Sequence, residues 1–313
     1  MTERIPEGRP RPDGVSEYQA NQPFLLDNAT CPYCGEPVEK GAKSDKEHVV
    51  GRKFVPKGTL NGAWNLILRA CRRCNGEKSD LENDLSVITM HPDVGGRFAT
   101  DDTRHHEEVR RKAGRAISRR TKKPVSAGED PVIVRTSFGP MQMTFTMQMP
   151  PQAEEDRLFR LARLQLQAVF YFLTYDRQTR RGAYWPGSFC PLVCVRRQDW
   201  GNPHLRWLEA ETADWALRFF AITADGFYKI LVRRKLDADL WAWAIEWNQN
   251  FRLAGFFGDE VVARSLAVAL PPLDINTVHE RASESLRMRI EAPLAEGEDR
   301  LFAPVGDDPQ NLI

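Results

Sequence analysis

Apolar residues recur at helical spacing between residues 153 and 176, where Leu158, Leu161, Ala162, Val169, Phe172 and Leu173 fall on one stripe. The last third of that segment is apolar on nearly all sides, which predicts a buried helix. A second amphipathic helix is predicted over 204–220 from Leu205, Leu208, Trp215 and Phe219. Strand periodicity takes over elsewhere. Met143, Phe145, Met147 and Met149 alternate with polar or small residues and face Val132–Val134 across a Phe-Gly-Pro turn, predicting a half-buried hairpin. Strand-like runs follow at 226–233, 240–247 and 250–257, with a further apolar run at 261–270. Nearer the N-terminus the order is short extended segments around 45–50, a Gly/Lys/Pro loop over 51–62, an apolar strand over 65–70 and a helix that begins at the last cysteine pair. A basic helix over 104–123 carries nine Lys and Arg against two Glu and ends at Thr-Lys-Lys-Pro. The fold class is α+β: a small strand-strand-helix module, then a mixed domain with an antiparallel sheet backed by helices.

The 313 residues predict about two domains. The texture divides the chain into a flexible arm (1–23), a compact module (24–90), a basic helical connector (91–130), an α+β C-terminal domain (131–272) and a partly ordered tail (273–313). No run approaches the ~18 uninterrupted apolar residues of a membrane span. The Arg- and Pro-rich start lacks the apolar stretch of a secretory signal, so a cytoplasmic location is expected. Taken alone, the net charge of +1 argues against a nucleic-acid partner. Its distribution reverses that inference, because residues 31–125 hold 20 Lys and Arg against 13 Asp and Glu, and the remainder is acidic.

Six cysteines are too few for a disulfide scaffold. Four of them form two Cys-x-x-Cys knuckles, Cys31/Cys34 and Cys71/Cys74, the usual supply for a tetrahedral structural Zn²⁺. Cys190 and Cys194 sit in an apolar run and read as buried small hydrophobes. Between and after the knuckles stand Glu47-His48, Asn65, and Asn75-x-x-Lys78. Phosphodiester hydrolysis needs a base for water and a cation for the charge that builds on the phosphate. An imidazole such as His48 titrates near neutrality, and Glu47 and Asn75 offer the hard oxygen donors that suit Mg²⁺ or Mn²⁺. Successive strand residues face opposite ways, so a regular strand cannot aim Glu47 and His48 at one ion.

Residues 29–85 resemble the HNH nucleases of the ββα-metal fold, in the zinc-stapled branch that includes phage Holliday-junction resolvases. The resemblance implies a structural zinc on the four cysteines, a catalytic metal on Glu47 and Asn75, His48 as the base and Asn65 holding the loop that orients it. Glu47 stands where Asp is commoner. Asn65 lies six residues before Cys71, one more than the family spacing, which leaves Asn61 as a rival. Lys78, one turn beyond Asn75, could reach a phosphate, with Arg72, Arg73, Arg111, Arg115 and Arg119 extending a basic surface.

These readings imply a metal-dependent endonuclease acting on DNA, double-stranded by preference, with RNA as a further substrate class. A bacterial restriction or phage-defence setting belongs to the resemblance. The C-terminal domain would recognise targets, bind a protein partner or form a homo-oligomer. The alternative is a non-catalytic zinc-ribbon module that docks on nucleic acid or protein. His105-His106 reads as a solvated helix start, and Trp241, Trp243 and Trp247 as the core face of a sheet in preference to a platform for stacking bases.

Overall fold

The computed structural model describes residues 9–10, 16–17, 21–38, 43–127, 130–138, 141–185, 187–281, 284–295 and 297–303; side chains of 9–10, 16–17, 130–149 and 277–288 lie outside this description. The N-terminal part begins with the two-residue strands β1 (Arg9–Pro10) and β2 (Ser16–Glu17), which pair with each other. The rest of the expected flexible arm lies outside the described residues, apart from 21–23. A three-stranded sheet follows, in the order β3 (Phe24–Leu25), β5 (Leu66–Cys71), β4 (Ser44–His48). β4 runs antiparallel to β5, and β5 leads without a break into α1 (Arg72–Met90).

Next come α2 (Thr103–Ala113), the hairpin β6 (Asp130–Phe138) and β7 (Met141–Met149), and α3 (Glu155–Leu173). The hairpin forms where the Phe-Gly-Pro turn predicts it, with Phe138 opposite Met141; which way its side chains face lies outside the described residues. The rest comprises β8 (Ser188–Arg196), α4 (Pro203–Glu211), β9 (Ala216–Thr223), β10 (Tyr228–Arg234), β11 (Leu240–Trp247), β12 (Phe251–Gly258), α5 (Glu260–Ala267), and the paired strands β13 (Ile275–Arg281) and β14 (Glu284–Arg289).

β8 to β12 make one antiparallel sheet in the order β8-β12-β11-β10-β9. Every residue of β11 and β12 is buried, because both faces of the sheet are covered. Strand alternation sends Trp241, Trp243, Ile245 and Trp247 into a core shared with α3, while Leu240, Ala242 and Ala244 enter a second core with α4, α5 and residues 301–302. The tryptophan row is therefore core: Phe170 meets Trp241 edge-on at 5.3 Å and Phe54 meets Trp247 at 5.3 Å. On the second face Arg252 is buried against Glu246 at 2.7 Å and also pairs with Asp299.

The first core ignores the expected boundary near residue 130. It holds Phe24, Val50, Phe54, Leu66, Leu68 and Leu85 from the N-terminal module together with α3 and the large sheet. Polar contacts reinforce the join. At the β11–β12 turn, where Asn248 and Gln249 adopt left-handed backbone (φ 53° and 54°), the Asn248 amide donates to Thr89 Oγ1 at 2.8 Å and to Phe54 O at 3.2 Å. The buried Asp84 accepts both guanidinium nitrogens of Arg157 at 2.6 and 2.8 Å.

Three expectations need correction. The helix over 204–220 stops at Glu211, and Phe219 instead pairs with Val232 in β9, since completing the sheet beside β10 outweighs local helical periodicity. The basic helix also halves. α2 ends at Ala113, before Gly114, and the chain folds back to bridge Ile117 with Pro124. His105 is not solvated. It is 0 % exposed, its ring parallel to that of Phe227 at 5.8 Å, with both nitrogens unpartnered. In the tail, expected to be partly ordered, the described residues form the β13–β14 hairpin and a returning segment that buries Leu301 and Phe302, and residues 304–313 lie outside the described residues.

Candidate functional site

Cys31 and Cys34 occupy a tight turn in which Gly35, in left-handed backbone (φ 79°), returns its N–H to Cys31 O at 2.9 Å. Cys71 ends β5, and Cys74 lies in the first turn of α1. The four Sγ atoms fall within 4.8 Å of one another, and Cys34 Sγ lies 3.6 Å from Cys71 Sγ. Four thiolates on one Zn²⁺ at ~2.3 Å define edges of about 3.8 Å, so the cluster has the size and chemistry to bind such a metal. Burial pushes the Cys31 thiol up to about 12 and Cys74 higher still, and a bound cation would offset that cost of forming thiolates. The Tyr184 hydroxyl donates to Cys31 O, tying the knuckle to the C-terminal part.

The cluster joins the loop ahead of β4 to the start of α1, the elements that carry the remaining candidates. In β4, Glu47 opposes Leu68 and His48 opposes Ile67. Glu47 is buried, whereas His48 is half-buried. Glu47 Oε1 accepts from Tyr33 Oη at 3.1 Å and pairs with Lys78 Nζ at 2.7 Å. Lys78 Nζ also meets Glu82 Oε1 at 2.6 Å and His48 O at 3.0 Å. Burial opposes the Lys78 ammonium, but Glu82 and Glu47 outweigh it and raise the pKa. Glu82 is raised by its own burial, against the pull of Lys78. Two carboxylates thus share one buried cation.

Asn65 is buried, with Val50 N–H donating to its Oδ1 at 3.1 Å and its Nδ2 donating to Val50 O at 2.8 Å. Its amide clamps the backbone two residues beyond His48. The rival Asn61 is exposed in a surface turn. Gly51 N–H donates to the Glu82 carboxylate, and a Cβ on Gly51 would collide with it. His48 has its imidazole lowered below its usual 6.5, first by burial and next by the nearby Arg52 charge. Asn75, half-buried in the first turn of α1, makes no side-chain hydrogen bond among the described residues.

No family model, curated protein or solved structure matches this chain.

Lys78 requires a correction. It does not face a phosphate, because it is 1 % exposed and committed to Glu47 and Glu82. The other expected nucleic-acid contacts are dispersed. Arg72 pairs with Asp45 at 3.7 Å, Arg73 with Glu36 at 3.5 Å, Arg111 with Glu108 at 2.6 Å, and Arg119 with Asp80. Arg115 is exposed beyond the end of α2, so Arg111, Arg115 and Arg119 share no helix face. Sequence reasoning missed Tyr33, Gly51 and Glu82. Only Glu82 had a local signal, its place four residues after Lys78 on one helix face.

Among the described residues the cysteine cluster is the only group of three or more His, Cys, Asp or Glu close enough to hold a metal ion, so an ion at Glu47 would have few protein ligands. Oε1 is committed, while the second carboxylate oxygen and the Asn75 carbonyl remain, and Mg²⁺ tolerates few protein ligands because it retains several waters.

Proposed function

We propose that this chain is a metal-dependent endonuclease of the HNH type that hydrolyses phosphodiester bonds in DNA. The observation that carries this reading is the connection made by the cysteine cluster. It ties the segment before β4 to the first turn of α1, so Glu47-His48 and Asn75 lie on the two elements it joins. A plain zinc ribbon has no need of the buried framework around Glu47 or of the Asn65 clamp behind His48.

In this mechanism His48 takes a proton from the attacking water. Its depressed pKa keeps the imidazole neutral, and so able to accept that proton, at neutral pH. Asn65 fixes Val50 and thereby the strand end that aims the imidazole. Tyr33 and Lys78 hold Glu47 Oε1, so the other Glu47 oxygen and the Asn75 carbonyl would be the groups that hold a metal. A bound Mg²⁺ or Mn²⁺ would stabilise negative charge on the phosphate and leaving oxygen. The restriction or phage-defence setting rests on the family resemblance.

Supercoiled plasmid incubated with the full chain and Mg²⁺ or Mn²⁺ is expected to be nicked or linearised, and His48→Ala to slow cleavage by about 10²–10⁴-fold. Equal cleavage by His48→Ala would remove His48 from the role of base. One observation favours the second reading, a non-catalytic zinc module: the salt bridge that commits Glu47 to Lys78. That reading expects bound zinc, nucleic-acid or protein binding, and no turnover with either ion.

A further inference from the structure

With Lys78 committed to Glu47 and Glu82, a phosphate beside His48 must find its cation elsewhere. Lys43, Lys46, Arg52, Lys53 and Lys57 flank Glu47-His48 just before β4, on it and in the loop after it. All five are exposed, and none makes an ion pair or side-chain hydrogen bond among the described residues. This sets them apart from Arg72, Arg73, Arg111 and Arg119, each of which has an acidic partner.

The backbone around Arg52 is held on every side. Val50 is clamped by Asn65, and Gly51 N–H is bound to Glu82. Lys53 O accepts from Lys112, while Phe54 is buried against Trp247 and its carbonyl accepts from Asn248. A rigid backbone therefore carries an unengaged guanidinium four residues from His48. A guanidinium fork matches two phosphate oxygens and cannot lose its proton near neutrality.

We propose that Arg52 contacts the phosphate attacked at this site, with Lys46 and Lys53 following the adjoining nucleic-acid backbone. This rests on the endonuclease reading and names the residue that takes over the role sequence spacing suggested for Lys78. Because the exposed Arg52 side chain makes no hydrogen bond or ion pair among the described residues, removing it should leave stability unchanged.

The test separates the two ideas. In the full chain carrying His48→Ala, binding of a labelled DNA duplex is followed by fluorescence anisotropy across a range of salt concentrations. Adding Arg52→Ala should weaken binding and reduce the slope of log K against log[salt] by about 0.9, the value of one phosphate contact. Arg52→Lys should restore that slope, whereas Arg119→Ala should leave it unchanged. With His48 intact, Arg52→Ala should lower plasmid cleavage at least about tenfold, with the melting temperature unchanged. Unchanged slope and cleavage in Arg52→Ala would overturn this inference while the endonuclease reading stood. No cleavage by the unaltered chain would overturn the endonuclease reading, and no DNA binding by His48→Ala would overturn both.

Discussion

At the residue scale the decisive side chain is Lys78, a cation whose spacing suggested substrate contact and whose burial makes it part of the framework. Its ammonium neutralises Glu47 and Glu82 and holds the His48 carbonyl, so β4 and α1 are joined through a single nitrogen. Removing one member of a buried ion cluster leaves the others uncompensated, at a cost of about 3–5 kcal/mol. Lys78→Met should therefore lower the unfolding free energy by about that amount in urea titrations, and Lys78→Met with Glu82→Gln should recover part of the loss. If Lys78→Met unfolds at the same urea concentration as the parent, the ammonium does not hold the cluster. Asn65 acts at the same scale: spacing left Asn61 as its rival, and only burial and the clamp on Val50 separated the two.

At the element scale α2 shows how context reverses a local reading. Arg104-His105-His106-Glu107-Glu108 looks like a polar helix start, and Asp102 does cap it by accepting from Arg104 N–H at 2.8 Å. Packing nevertheless buries His105 between Phe98 and Phe227, with His106 beside it. Burial is the main cause that pushes its imidazole down to about 4, from a usual 6.5. The unfolded chain takes up this proton near pH 6.5 and the folded chain only near pH 4, so the unfolded state binds more protons in that window. Stability should fall as pH drops from 6.5 towards 4, by about 2 kcal/mol at pH 5 from this residue alone, with no contribution above 6.5. His105→Phe should remove that increment, measured as the difference in urea midpoint between pH 7 and pH 5. An identical pH dependence in both proteins would show that His105 titrates normally.

At the scale of the whole molecule the composition suggested two domains, yet the hydrophobic core runs through residues of both expected units. Phe54, Trp64, Thr89 and Asp84 each meet a residue beyond position 150. The chain should therefore unfold in one cooperative transition, with the calorimetric and van't Hoff enthalpies equal. Two resolved transitions would restore the boundary near 130. Much of the arrangement was readable in the residues themselves. The two cysteine knuckles, the strand-strand-helix order between them, the long apolar helix and the runs that became β10, β11 and β12 all declare themselves through local spacing and periodicity. Local pattern failed where the answer depends on a distant neighbour. Phe219 became a strand residue because β10 lies beside it, and His105 was buried because Phe227 covers it. Lys78 turned inward because Glu47 lies across the β4–α1 interface. Spacing along the chain determines which side chains can lie close on one element; burial and charge pairing between elements decide which of them remain open to a substrate. By itself the sequence determined the cysteine set and the candidate residues around His48. Only the tertiary structure decided that Arg52, in the loop after His48, stands exposed and unpaired among the described residues while Lys78 is buried in the framework.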